Sequence, residues 1–92
     1  MLMAEAEHVQ QWVLITARMM VNHPNDVKVE MLGISDRIAL RLHVHPSDVG
    51  KIIGKAGRTG RALRTIGGAI TQGSGKWFTL DIADDDKMAA GI

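Results

Sequence analysis

The sequence has no cysteine and no tyrosine among its 92 residues, and its aromatic content is only 3%. The lack of cysteine excludes disulfides, thiolate metal sites and a cysteine nucleophile. The scarcity of aromatic residues disfavours folds that stack nucleobases on rows of aromatic rings across a sheet. The chemistry of this chain must therefore come from its backbone, its charged groups and its aliphatic side chains.

A long apolar run is also missing, although 46% of the residues are hydrophobic. No stretch approaches the roughly 20 apolar residues that a membrane helix requires. Glu5 and Glu7 precede the apolar stretch Trp12–Ile15, which is too short for the core of a signal peptide. We therefore expect a cytoplasmic protein without membrane association, with residues 1–92 forming a single domain.

The order of the secondary-structure elements follows from hydrophobic periodicity. Apolar residues at helical spacing predict a helix over about residues 3–22, and two alternating segments predict an antiparallel hairpin over 27–45. A helix–loop–helix unit is predicted over 47–70 and a third strand over 76–83, with a frayed tail over 84–92. The helical crossover favours parallel pairing of the last two strands. The expected fold is α+β, in the order α-β-β-α-α-β, with a three-stranded mixed sheet covered by helices on one face.

The helix–loop–helix unit carries two further expectations. Ser47 or Asp48 is placed to cap the first of its helices, because short polar side chains accept hydrogen bonds from free N–H groups there. The second helix is expected to turn its apolar residues toward the core, namely Ala62, Leu63, Ile66 and Ile70.

The distribution of charge says more than the net charge of +1. Between Val49 and Thr65 there is no acidic residue, while five basic residues occur there: Lys51, Lys55, Arg58, Arg61 and Arg64. Such a segment is typical of a phosphate-binding surface. A solvated helix face has the same composition, so the interpretation needs support from the backbone.

That support comes from Gly54-Lys55-Ala56-Gly57, which separates the two short helices. Glycine allows a sharp turn and lets a phosphate approach the backbone without meeting a Cβ atom. The N–H groups at the start of the following helix carry the positive end of its dipole. Backbone donors and the neighbouring cations therefore converge on one predicted phosphate site. Ile52 and Ile53, with Leu63 and strand residues Leu40 and Leu42, supply apolar side chains for the core or for a groove beside the loop.

Other chemistries fit the sequence poorly. A nucleotide-binding P-loop needs four residues between its glycines and Ser or Thr after its lysine, whereas three residues separate Gly50 from Gly54, and Ala56 follows Lys55. His43 and His45 are too few for a metal site. No catalytic set is recognisable, so we expect no enzyme activity, no cofactor and no metal.

The segments Asn22–Val27, Gly50–Arg58 and Arg64–Ile66 resemble the small bacterial KH-domain proteins of the KhpA type. The resemblance extends over about residues 9–83 and implies a cytoplasmic protein that binds single-stranded RNA. It also implies action on many transcripts as a regulator or RNA chaperone linked to cell growth and division. Members pair with themselves or with a larger KH-containing partner of the Jag (KhpB) type. The implied RNA-binding residues are Lys51, Ile52, Ile53, Gly54, Lys55, Ala56, Gly57, Arg58 and Arg61.

A second interpretation stays open, in which the KH fold chiefly dimerises or docks a protein. The family more often has an apolar residue and alanine where this chain has Thr59 and Gly60. The first helix is apolar on more than one side, and the net charge is close to zero. Salt sensitivity distinguishes RNA binding from protein interaction, because phosphate contacts weaken steeply as salt rises and an apolar interface does not.

Overall fold

The computed structural model describes residues 2–83, so the predicted tail over 84–92 lies outside the described residues. The order is α-β-β-α-α-β, and the α+β class predicted from periodicity is confirmed. The helices and strands are α1 (Leu2–Met20), β1 (Lys28–Gly33), β2 (Arg37–His43), α2 (Val49–Ile53), α3 (Arg58–Ile70) and β3 (Trp77–Ile82).

The three strands form one sheet in the order β1-β2-β3. β1 and β2 pair antiparallel, with Val29 opposite Leu42. β2 and β3 pair parallel, with Leu40 opposite Leu80, as the helical crossover predicted. The sheet is therefore mixed, and β1 and β3 are its edge strands.

The core lies between one face of this sheet and the helices. α1 contributes four residues with no exposed surface, spaced as one helical stripe: Ala6, Val9, Val13 and Ala17. The central strand contributes every second residue, as a half-buried strand must: Ile38, Leu40 and Leu42. Ile52 of α2, Leu63 of α3 and Leu80 of β3 complete the cluster.

α3 faces the sheet differently from the prediction. Leu63 is buried as expected, but Ala62 and Ile66 are exposed, and the other buried positions are Gly60 and Gly67. A Cβ atom on Gly67 would lie 2.6 Å from Cζ of Phe78, so only glycine fits against β3 there. The helix thus packs its glycines on the sheet, and close backbone approach replaces apolar side-chain contact.

Candidate functional site

The Gly54–Gly57 loop joins α2 to α3 through a backbone in which three of the four residues have positive φ. Gly54 has φ 77° and ψ 171°, Ala56 has φ 57° and ψ 24°, and Gly57 has φ 75° and ψ 12°. The loop is closed by the Gly57 N–H, which donates to the Gly54 carbonyl at 3.1 Å. Lys55 and Ala56 are exposed at its tip. Ala56 occupies the left-handed region, which costs an L-residue about 1–2 kcal/mol.

Gly54 is required by both its conformation and its surroundings. Its φ and ψ fall in a region that only glycine adopts readily. A Cβ atom there would lie 2.7 Å from Cβ and 2.8 Å from N of Thr59. Thr59, one of the two departures from the family pattern, therefore packs beneath the loop.

The loop leads directly into α3, which begins at Arg58. Gly57 occupies the N-cap position, and no side chain of the described residues 2–83 caps the N–H groups of the first turn. An uncapped helix start leaves backbone donors and the positive end of the helix dipole available to an anion.

Four cations are carried by α2, the loop and the first turn of α3. Lys51, Lys55, Arg58 and Arg61 are all exposed, and none forms an ion pair within the described part of the chain. Nη1 of Arg61 lies 3.1 Å from the position that a Cβ on Gly57 would take, so its guanidinium sits over the loop. The structure therefore places the Arg61 charge beside the backbone donors of the loop.

Ile52 is fully buried in the core and presents no surface to a ligand, which corrects the expectation that it bounds a groove. Leu40, Leu42 and Leu63 are buried as well. Because α2 is a single short helix, one of two consecutive isoleucines must point inward, and only Ile53 reaches the surface as a half-buried residue.

α3 packs against the edge strand β3. The two elements approach closely at Gly60, where an added Cβ would lie 3.5 Å from Cδ1 of Ile82. Further along, Arg64 Nε donates a hydrogen bond to the Leu80 carbonyl at 2.9 Å. We call the surface formed by Ile53, Gly60, Arg64 and Ile82 the α3/β3 groove. The prediction omitted Arg64, although the basic run contained it.

α2 is held in place by a contact that the sequence did not reveal. Asp48 does not cap α2 as predicted. Its buried carboxylate instead accepts a hydrogen bond from the His23 backbone N–H at 3.0 Å. The same carboxylate oxygen lies 2.9 Å from Nδ1 of the His23 ring. Burial raises the pKa of Asp48, but the hydrogen bonds from His23 and from the Asn22 backbone outweigh this effect and hold the pKa below its ordinary value. The His23 ring also stacks on His45, with centroids 3.9 Å apart.

His43 and His45 do not come together as metal ligands. Nε2 of His43 contacts Glu30 at 2.9 Å, whereas Nδ1 of His45 accepts from the Ser47 N–H at 3.1 Å. Within residues 2–83, no group of three or more potential ligands gathers around one point. None of the helices in this range combines the length and apolar character needed to cross a membrane.

Comparison with known proteins agrees with this fold. The family model described as "KhpA/KhpB, KH domain" matches residues 10–86. RNA-binding protein KhpA of Bacillus subtilis (strain 168) is 40% identical over 78 residues, covering 85% of this chain and 96% of that protein. RNA-binding protein KhpA of Streptomyces coelicolor is 43% identical over 68 residues, covering 74% of this chain and 82% of that protein.

RNA-binding protein KhpA of Mycobacterium tuberculosis (strain H37Rv) is 39% identical over 70 residues, covering 76% of this chain and 84% of that protein. The search of solved structures found no match. The family model covers well over half of the chain, and the relatives align over most of their own length. The chain therefore belongs to the KhpA/KhpB family of KH-domain proteins.

Proposed function

We propose that this protein binds single-stranded RNA, with the phosphates held at the Gly54–Gly57 loop and the bases lying along the α3/β3 groove. The observation that carries the proposal is the uncapped start of α3 beside two glycines of positive φ. A phosphate can approach this backbone closely and meet several N–H donors at once. KH domains clamp about four nucleotides in this way. The relatives named above as RNA-binding proteins support the same ligand.

Electrostatics favours the same ligand. Lys51, Lys55, Arg58 and Arg61 are free of intramolecular ion pairs within residues 2–83, so a phosphate need not displace a carboxylate. Each cation that neutralises a phosphate releases a counterion, which makes affinity fall steeply as salt rises. We expect the four cations to set overall affinity and its salt dependence without selecting bases.

Base contacts are assigned to the groove. Ile53 and Ile82 are half-buried and present aliphatic surface on either side of Gly60. Buried Ile52 supports this surface from beneath and does not touch the ligand. Arg64 keeps further N–H donors after its Nε bonds the Leu80 carbonyl, and a guanidinium can donate to base acceptors.

The test is the double substitution Lys55→Asp with Ala56→Asp, measured by titration with short single-stranded RNA at two salt concentrations. Both positions are exposed, and aspartate tolerates the left-handed backbone of Ala56 better than most residues. We expect an unchanged unfolding midpoint and loss of RNA binding, because two carboxylates then stand where phosphate would bind.

A matched control carries the same change of charge on β1 and the turn before it, as Asn25→Asp with Lys28→Asp. Both of these residues are exposed. The control should lose little affinity. Equal loss in the two variants would mean that only net charge matters, and undiminished binding by the loop variant would refute the site.

We further propose that the protein self-associates or pairs with a larger KH-containing protein. Three exposed apolar side chains on the two long helices support this: Ile15 at 54%, Met19 at 76% and Ile66 at 48% exposure. Apolar association should resist salt, unlike RNA binding. Sedimentation at increasing concentration tests it, and a constant monomer mass for the protein alone would leave only the heterologous pairing.

The wider role that we propose is cytoplasmic regulation of many transcripts, by RNA-chaperone activity or post-transcriptional control coupled to growth and division. It rests on membership of the family and on a groove too short to read a long sequence. Crosslinking RNA to the wild type and to the loop variant in cells would show whether many transcripts depend on the loop.

A further inference from the structure

Among residues 5–83, the most exposed large apolar side chain lies away from the loop. Trp77, the first residue of β3, is 82% exposed. Along β3 the side chains alternate, so Phe78, Leu80 and Ile82 face the helices while Trp77 stands on the open face at the sheet edge. Trp77 is therefore not needed for the core.

The surroundings of Trp77 form an open depression. Its volume is about 360 Å³. The lining belongs to the end of α3, the α3–β3 connection and the start of β3: Gly68, Gln72, Gly75, Lys76, Trp77 and Phe78. Two of these residues, Gly68 and Gly75, have no side chain that could fill it. Gln72 supplies both a hydrogen-bond donor and an acceptor.

The charge near Trp77 suits a polyanion. Lys76 precedes it in the chain, and Arg37 lies directly opposite it across the β2–β3 pair. Neither cation forms an ion pair in the part of the chain that the structure describes, whereas Arg41 on the same face is paired with Asp81 at 2.9 Å. No carboxylate is among the described residues that line the depression, although Glu5 approaches the same connection at Gly73.

The depression also lies in line with the α3/β3 groove. Ile82 at one end of β3 meets Gly60 near the loop, and Phe78 at the other end meets Gly67, so α3 and β3 run antiparallel side by side. From Gly57 to Gly68, α3 rises about 16 Å at 1.5 Å per residue. An RNA strand that follows the groove away from the loop reaches the Trp77 end after the nucleotides that the loop holds.

We propose that Trp77 is a second nucleobase site, which stacks one base of the RNA strand beyond the segment bound at the loop, with Lys76 and Arg37 holding the adjacent phosphates. The proposal rests on the RNA binding proposed above and extends its binding site. It does not need the rows of aromatic residues that the composition excludes, because a single ring accepts one base of any identity. An exposed aromatic ring beside two cations that form no ion pair within residues 2–83 favours nucleic acid over a basic or purely apolar peptide, because a nucleotide offers both a base that stacks and a phosphate that binds a cation.

The experiment compares randomised single-stranded RNA pools of four and ten nucleotides. Trp77→Val removes the ring and keeps a strand-forming residue, while Trp77→Phe keeps a smaller ring. We expect Trp77→Val to weaken binding of the ten-nucleotide pool roughly 5- to 150-fold, as loss of one stacked base does, and to leave four-nucleotide binding unchanged. Trp77→Phe should recover part of that loss. The unfolding midpoint of each variant reports that the fold is kept.

A second readout follows the ring directly. In a Trp12→Phe background, Trp77 is the only tryptophan, and stacking of a base should quench its fluorescence with the longer pool alone. Unchanged ten-nucleotide affinity in Trp77→Val, while the Lys55→Asp, Ala56→Asp variant loses binding, would overturn the Trp77 site and leave the loop site standing. Failure of the wild type to bind either pool would overturn both. A change in sedimentation of Trp77→Val without a change in RNA affinity would assign the ring to a protein contact instead and overturn the inference.

Discussion

Replacing Gly67 with alanine is expected to destabilise the protein, whereas the same replacement at Gly60 in the same helix is expected to stabilise it. A Cβ on Gly67 would lie 2.6 Å from Cζ and 3.0 Å from Cδ2 of Phe78, closer than carbon atoms pack. A Cβ on Gly60 would meet Nη1 of Arg64 at 3.2 Å and Cδ1 of Ile82 at 3.5 Å. The first of these contacts is the movable end of a long side chain, and the second is ordinary packing.

The magnitudes follow from two opposing terms. Alanine is favoured over glycine inside a helix by about 1 kcal/mol. At Gly60 most of this gain should remain, which raises the melting temperature by roughly 4–8 °C at most for a domain of this size. At Gly67, overpacking costs about 1–3 kcal/mol, and so close a contact with Phe78 places the cost toward the upper end, which leaves a net loss of up to about 2 kcal/mol. The helix-propensity term cancels in the difference between the variants, which leaves the overpacking cost alone.

The assay is urea unfolding followed by circular dichroism, with both variants and the wild type at one protein concentration because self-association would shift the midpoints. A third variant combines Gly67→Ala with Phe78→Leu, which removes the ring that the new methyl group meets. The two changes together are expected to lower the unfolding free energy by less than the sum of their separate effects. Equal unfolding free energies for the Gly60 and Gly67 variants would refute the packing of glycines against β3.

Three further predictions concern the site and its supports. Ala56→Gly should raise the unfolding free energy by about 1 kcal/mol, because it relieves the left-handed backbone, and RNA titration should show the loop still functional; an unchanged urea midpoint would argue against the strain. The pKa of the Asp48 carboxyl is held below its ordinary value, so its charged form stabilises the fold above about pH 4 and this stabilisation is lost as the pH falls through the folded pKa. Urea midpoints of the wild type and Asp48→Asn should therefore differ at neutral pH and converge in acid, and a constant gap down to pH 3 would contradict this. Arg64→Ala removes the hydrogen bond to the Leu80 carbonyl and should cost about 1 kcal/mol of stability and weaken RNA binding, whereas a variant as stable and as tight-binding as the wild type would exclude Arg64 from the groove.

Local patterns in the sequence were sufficient for the element order and the strand pairing. Alternation in β1 and β2 over a short turn led to the hairpin, and a crossover of two helices led to the parallel pairing of β2 with β3. The positive φ values of Gly54 and Gly57 likewise match what glycine at a sharp turn predicts. In each case the responsible interactions join residues close in sequence or follow from a fixed period.

The orientation of α3 and the support of α2 were not predictable in this way. Apolar periodicity placed Ala62 and Ile66 inside, but the space available against Phe78 requires glycine at position 67 and turns a different face inward. The capping pattern assigned Asp48 to its own helix, whereas its carboxylate bonds His23 from a distant turn. Both outcomes depend on the distance between packed elements, which no local pattern contains.

The candidate site also has one part that the local sequence predicts and another that only tertiary packing decides. The residue types that can hold a phosphate are two glycines and four cations, and all of them lie between Lys51 and Arg61. The sequence reveals them because a loop and the helix start that follows it are local structures. Tertiary packing settled which apolar neighbour is accessible, with Ile53 at the surface and Ile52 in the core. It also brought Arg64 to the Leu80 carbonyl and left Trp77 uncovered at the sheet edge. Burial and long-range hydrogen bonds depend on which distant segments pack against each other. That packing is determined by the core as a whole.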